Sequence, residues 1–168
     1  MIVLGVDVPG KRSGGWAVYD SSRDIVLEAG EISFDPDSAE RETYRILAAI
    51  LSSLQKKHKF TVVAIEHPFL YLIAQYIGAI KMWVAQRRGV TWFMVTASSA
   101  RKAVFGDAKK ITRVTRTGSV VSAVKEFVLV EMTTRYAPEE LTQHEADAIL
   151  YAVAAARRLT AAATARKE

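Results

Sequence analysis

The chain has no cysteine. Disulfides and thiolate chemistry are therefore excluded, while the redox compartment stays open. Long apolar runs are also missing. The longest, Phe69–Ala85, is interrupted by Gln75 and Lys81 and is too short and too polar to span a membrane. Nothing at the start reads as a signal peptide, because Asp7 breaks the first apolar run and no basic segment precedes it. Internal repeats and linker-like stretches are lacking as well. With 168 residues, half of them apolar, the expectation is a single soluble cytoplasmic domain with a full core, closing in a frayed Ala-rich tail over 160–168.

What the chain does have is uneven positive charge. Arg101, Lys102, Lys109, Lys110, Arg113 and Arg116 face a single acid, Asp107, between Arg101 and Gly118; this local excess equals the +5 of the whole chain. Such a block points to a polyanionic partner, with a solvated basic loop as the alternative.

The first eight residues, M-I-V-L-G-V-D-V, read as a strand buried on both faces. Pro9–Gly15 is turn-rich, and Trp16–Tyr19 and Ile25–Ser33 follow as strands joined through Ser21–Asp24. Asp37 and Glu40 offer a capping box for a helix to about Lys57. Thr61–Ile65 is a further buried strand, and Leu70–Arg88 a helix closed by Gly89 and apolar on more than one face. Val90–Val95 is the fifth strand, and Ser98 caps a short helix to Phe105. Gly106–Gly118 lacks apolar periodicity and reads as a mobile loop. Val120–Glu131 is helical, and Thr142 with Glu145 forms a capping box for the last helix, through Leu159. The pattern predicts an α/β fold: a five-stranded mixed sheet, three antiparallel strands followed by parallel ones, flanked by helices.

Two of the buried strands end in carboxylates, Asp7 and Glu66. If those strands are parallel neighbours, both acids reach the edge where α/β sheets place ligands, and a divalent metal would relieve their repulsion. Otherwise they are separate strand ends satisfied by loop amides. His144 and Asp147, three residues apart, share a helical face that turns inward. A core histidine and a helix-dipole acid are the plainer roles for these two. Glu145 is accounted for by the cap.

Taken together, D…E…H-x-x-D resembles the RuvC-type Holliday-junction resolvases of the ribonuclease H-like superfamily, which are bacterial or phage-encoded. The matching positions are Asp7 in G-V-D-V-P-G, Glu66 in A-I-E-H-P-F, and His144 with Asp147 in H-E-A-D-A-I. The resemblance extends to S-G-G-W-A-V, Phe69, R-K-A-V-F-G over Arg101–Gly106 and the lysine-containing loop beyond, from Met1 to about Leu159. One departure is the first loop, D-V-P-G, a residue longer than the family's usual D-P-G.

The resemblance implies an endonuclease that resolves four-way DNA junctions symmetrically as a homodimer. Its catalytic and metal-binding residues would be Asp7, Glu66, His144 and Asp147, holding two Mg²⁺ ions about 4 Å apart, with Mn²⁺ able to substitute. It further implies DNA contacts from Phe69, Arg101, Lys102, Lys109, Lys110, Arg113 and Arg116. Phe69 would stack or wedge at an opened base pair; its alternative is a core role. The 70–89 helix would form the dimer interface, in the cytoplasm of a bacterium or a phage-infected host. Rival readings are another ribonuclease H-like nuclease with a different nucleic-acid substrate, a sugar-kinase-like ATPase module and a non-catalytic DNA-binding protein.

If the basic segment grips phosphates, neutralising Lys109, Lys110, Arg113 and Arg116 together will flatten the log-affinity versus log-salt slope for junction DNA by about 4 per subunit. Sequence preference will survive, since phosphate contacts do not specify bases. An unchanged slope in binding titrations assigns the segment to solvent.

Overall fold

The structure, a computed structural model, describes residues 1–9, 13–35, 37, 40–67, 71–106, 120–137 and 140–166, and no side chains at 71–73 and 120–122. Five strands form one sheet: β1 (Ile2–Asp7), β2 (Ser13–Asp20), β3 (Ile25–Ser33), β4 (Val62–Glu66) and β5 (Thr91–Val95). Their order is β3-β2-β1-β4-β5. β1 pairs antiparallel with β2 and parallel with β4; β2–β3 is antiparallel and β4–β5 parallel. This is the expected mixed sheet, with the apolar first strand at its centre.

Helices cover both faces. α1 (Glu40–His58) and α2 (Tyr71–Ala85) pack on one side, against Leu4, Val6, Val18, Val63 and Ile65. α3 (Ala97–Phe105), α4 (Val120–Tyr136) and α5 (Gln143–Thr164) cover the other, against Val3, Ala17, Tyr19, Val62 and Ala64. The strand period of two divides the apolar residues of β1 between the two cores, which is why the run reads as continuous. Among the described residues no helix is long and apolar enough to cross a membrane.

α5 is the most deeply set helix. Ala146 and all nine residues of Ala148–Ala156 are buried, most of them alanines. Small side chains let its backbone approach the sheet, and two glycines complete the contact. A Cβ on Gly5 of β1 would lie 2.0 Å from the carbonyl oxygen of Ala148, and one on Gly15 of β2 would lie 2.3 Å from that of His144. Both obstacles are backbone atoms, so neither can swing aside.

Several boundaries differ from expectation. β2 begins at Ser13 rather than Trp16, because Gly15 pairs with Asp7 and carries the strand into the presumed turn. α1 begins at Glu40, and the Asp37 amide donates to the Asp35 carboxylate; the intervening 38–39 lie outside the described residues. α2 stops at Ala85 instead of Arg88. The Arg87 amide donates to Val84, its guanidinium stacks 3.7 Å from the Trp83 ring, and Gly89 takes φ +79 in the following turn. Thr96, not Ser98, caps α3: its side chain accepts from the Ser99 amide. The Thr142–Glu145 capping box of α5 is present, but the helix runs on to Thr164 with an exposed end. The expected basic loop falls almost wholly on 107–119, outside the described residues.

Gly5→Ala will drive a methyl group into the α5 backbone. The expected loss is about 3 kcal/mol, the upper end for overpacking, or roughly 10 °C in Tm. Urea denaturation of parent and variant checks it; a variant as stable as the parent would mean α5 can lift off the sheet at little cost.

Candidate active site

The parity of the strands decides which side chains meet. Val3, Gly5 and Asp7 of β1 point to the α5 face, as do Val62, Ala64 and Glu66 of β4. Val6 lies opposite Ile65 in the parallel register, so one further step sets Asp7 beside Glu66 at the C-terminal edge. From above, α5 brings in His144, Asp147 and Tyr151, which the helical period stacks on one face.

These residues line one cavity of about 190 Å³, with Arg101 and Ala97 of α3 and Val124, Lys125 and Val128 of α4. All four residues singled out from the sequence, Asp7, Glu66, His144 and Asp147, are therefore in one place. Arg101 joins them, whereas Lys102 is exposed on α3 and does not line the cavity. Phe69, Lys109, Lys110, Arg113 and Arg116 lie outside the described residues. A larger cavity of about 350 Å³, between β3 and the α4–α5 junction, shares none of these side chains.

Asp7 is the hub. It is only 7% exposed, and its Oδ2 lies 2.6 Å from Nδ1 of His144. The other ring nitrogen, Nε2, is 3.0 Å from the Ser13 hydroxyl. Burial, then the charge of Asp7 and a shared hydrogen bond with it, push Glu66 up to about 7; hydrogen bonding from Tyr151 pulls the other way. Burial and the Asp7 charge also push Asp147 up to about 6, against Gln143, Lys125 and His144, which favour its ionised form. His144 is raised too, chiefly by its hydrogen bond to Asp7.

Lys125, Tyr151, Gln143 and Ser13 were not singled out from the sequence. Tyr151 is four residues beyond Asp147, and Gln143 four before it, so helical spacing alone places both beside that acid. Tyr151 nevertheless reads as one more core aromatic. Lys125 interrupts an apolar helical pattern, which was its only signal.

The donor set suits a hard divalent ion: three carboxylates and one imidazole, with two of the acids held toward their neutral forms by burial and mutual repulsion. It is not a preformed cage. Among the described residues no group of three or more His, Asp or Glu side chains is placed to hold an ion as it stands. His144 is instead bonded to Asp7 itself.

The family model of the crossover junction endodeoxyribonuclease RuvC matches residues 3–155. The chain belongs to the RuvC family. No curated protein matches it. Among solved structures, RuvC of Thermus thermophilus superposes with a TM-score of 0.74 at 18% identity, covering 96% of this chain and 97% of that one. The same protein in complex with a Holliday junction substrate gives 0.74 at 19%, covering 96% of each chain. The Fowlpox virus resolvase, solved with Holliday junction DNA, gives 0.61 at 14%, covering 95% and 99%. The RuvC-type resemblance and the ribonuclease H-like fold expected from the sequence are thus both found, and the family's activity is that of a junction-resolving endonuclease.

The raised acids carry a sign for stability. Between pH 4.5 and about 7 the folded Glu66 holds a proton that the unfolded chain has lost, so stability falls as pH rises through that window. Asp147, raised to about 6, and His144, raised by Asp7, act in the same direction. Asp20 and Glu28, lowered by their partners, act only below it. Metal-free parent protein will therefore lose stability from pH 5 to pH 8 relative to Glu66→Gln. Parallel melting curves for the two proteins would contradict the assignment.

Proposed function

We propose that this chain resolves four-way DNA junctions by Mg²⁺- or Mn²⁺-dependent phosphodiester hydrolysis as a homodimer, with Asp7, Glu66, His144 and Asp147 as its metal-binding and catalytic residues. The observation that carries this reading is their convergence, from two strands and a helix remote in sequence, on one cavity at the C-terminal edge of the sheet. Bound there, divalent ions supply an activated water and stabilise the leaving 3′-oxygen. The chain's own part is to hold the ligands. Asp7 stands between Glu66 and His144, able to serve both sides of the site. Tyr151 orients Glu66, and the closely packed α5 keeps bulk water from behind the cluster. Arg101 and Lys125 bring positive charge to the same cavity, where a scissile phosphate needs it.

Asp7→Asn will lower junction cleavage by at least roughly 100-fold, since outer partners of metal ligands alone are worth 10–100-fold. Junction binding will be nearly intact, because phosphate contacts supply most of the affinity. Cleavage of a four-way junction against plain duplex, with and without Mg²⁺, is the deciding assay. Equal cutting of both substrates would favour a general nuclease of the same fold, and no cutting a DNA-binding protein.

The apolar pattern of α2 leaves open which face a partner subunit would meet, and burial narrows it: Ile77 and Ile80 are 8% and 0% exposed and both pack into the core. The outward face carries Ala74, Gln75, Gly78 and Met82. Met82 is 63% exposed, and a Cβ on Gly78 would meet nothing within 4 Å. Met82→Glu and Gly78→Glu will each yield a folded monomer that binds junctions weakly and does not resolve them. Sedimentation showing an intact dimer for both removes α2 from the interface.

A further inference from the structure

His144 has both ring nitrogens engaged, and the partner away from Asp7 is Ser13. Ser13 is the first residue of β2, on the α5 side of the sheet with Gly15 and Ala17. It reaches His144 only because Gly15, two residues on, lets the first turn of α5 settle onto the strand. The contact spans 131 positions in sequence and joins the two segments that the site depends on.

We infer that Ser13 is the positioning residue of His144, holding the ring so that Nδ1 is the nitrogen presented to Asp7 and to a divalent ion. The inference rests on the metal-dependent reading above. A hydroxyl both donates and accepts. With the proton on Nδ1, the ring donates to Asp7, and Nε2 accepts from the Ser13 hydroxyl. With the proton on Nε2 instead, Oγ accepts it, and the Nδ1 lone pair, on the Asp7 side, is left for a cation. Ser13 satisfies both tautomers without moving. Ligating histidines characteristically give their second N–H to an outer partner that fixes the tautomer and the ring plane. Alanine at position 13 would satisfy neither tautomer, and threonine both. The chain Ser13–His144–Asp7 also has the connectivity of a hydroxyl nucleophile with its base and orienting acid, so the test must separate positioning from attack.

Mn²⁺ binding by calorimetry on the full chain, beside junction cleavage, provides that separation. Ser13→Ala will weaken Mn²⁺ binding by about tenfold, with Ser13→Thr within about threefold of the parent. In a His144→Ala background, Ser13→Ala will add nothing further. The ¹⁵N resonance of His144 Nε2 will move in Ser13→Ala and stay in Ser13→Thr, a change that loss of packing alone does not produce. Parent-like Mn²⁺ affinity in Ser13→Ala overturns the inference and leaves the proposed function standing. So does normal Mn²⁺ binding with cleavage abolished, which would make Ser13 the attacking group. A parent that binds no Mn²⁺ and cuts no junction overturns both.

Discussion

The contact between α5 and the centre of the sheet is the constraint on which the rest depends. No side chain separates the helix from β1 at Gly5 or from β2 at Gly15, where the opposing atoms belong to the backbone. The gain is dispersion and apolar burial along Ala148–Ala156, and the cost is that neither strand tolerates a Cβ at the crossing. The same geometry fixes the depth of the first turn of α5. His144 and Asp147 therefore stand over the strand ends rather than out in solvent. A helix one layer higher would leave Asp7 and Glu66 as two strand-end acids with nothing above them.

That placement creates an electrostatic problem. Asp7 lies beside Glu66 and under Asp147, and its charge is a cause of the upward shift of both. The fold accepts the repulsion because the cavity also holds compensating groups. Tyr151 donates to Glu66, Lys125 and Gln143 favour ionised Asp147, and His144 donates to Asp7. None of these removes the excess of acid, and such an excess in a largely buried cluster is what a divalent cation would relieve. Strain of this kind is tolerated where function requires it.

Much of this was legible in the sequence, for definite reasons. An acid ending an apolar strand stands out, so Asp7 and Glu66 were visible, and the helical period tied His144 to Asp147. The mixed sheet followed from short early connections and helical later ones. Less legible was whatever depends on phase or on contact between remote segments. α2 is apolar nearly all round, so nothing in its pattern showed that Ile77 and Ile80 face the core and Met82 does not. In T-A-S-S, both Thr96 and Ser98 are competent caps, and only the backbone chooses. Ser13 read as a turn residue because its partner is on another element, and Tyr151 as core because its hydroxyl is hidden among alanines. Gly5 did carry a signal: a glycine inside a buried strand marks a close backbone approach.

The choice of histidine at position 144 follows from the same electrostatics. A carboxylate there would face Asp7 as a third acidic neighbour beside Glu66 and Asp147. An imidazole turns that contact into a 2.6 Å hydrogen bond and, when neutral, would be able to ligate a metal. That hydrogen bond brings a competing demand, since the Asp7 oxygen bonded to His144 is one that a bound ion would claim. Proton exchange between the two ring nitrogens resolves the conflict only if the far nitrogen has a partner that accepts as readily as it donates. A hydroxyl meets that condition. A lysine only donates, and a carboxylate accepts only and would return negative charge to the cavity. On the metal-dependent reading, the residues at 144 and 13 therefore act as a pair, joined across the Gly15 crossing that brings them together.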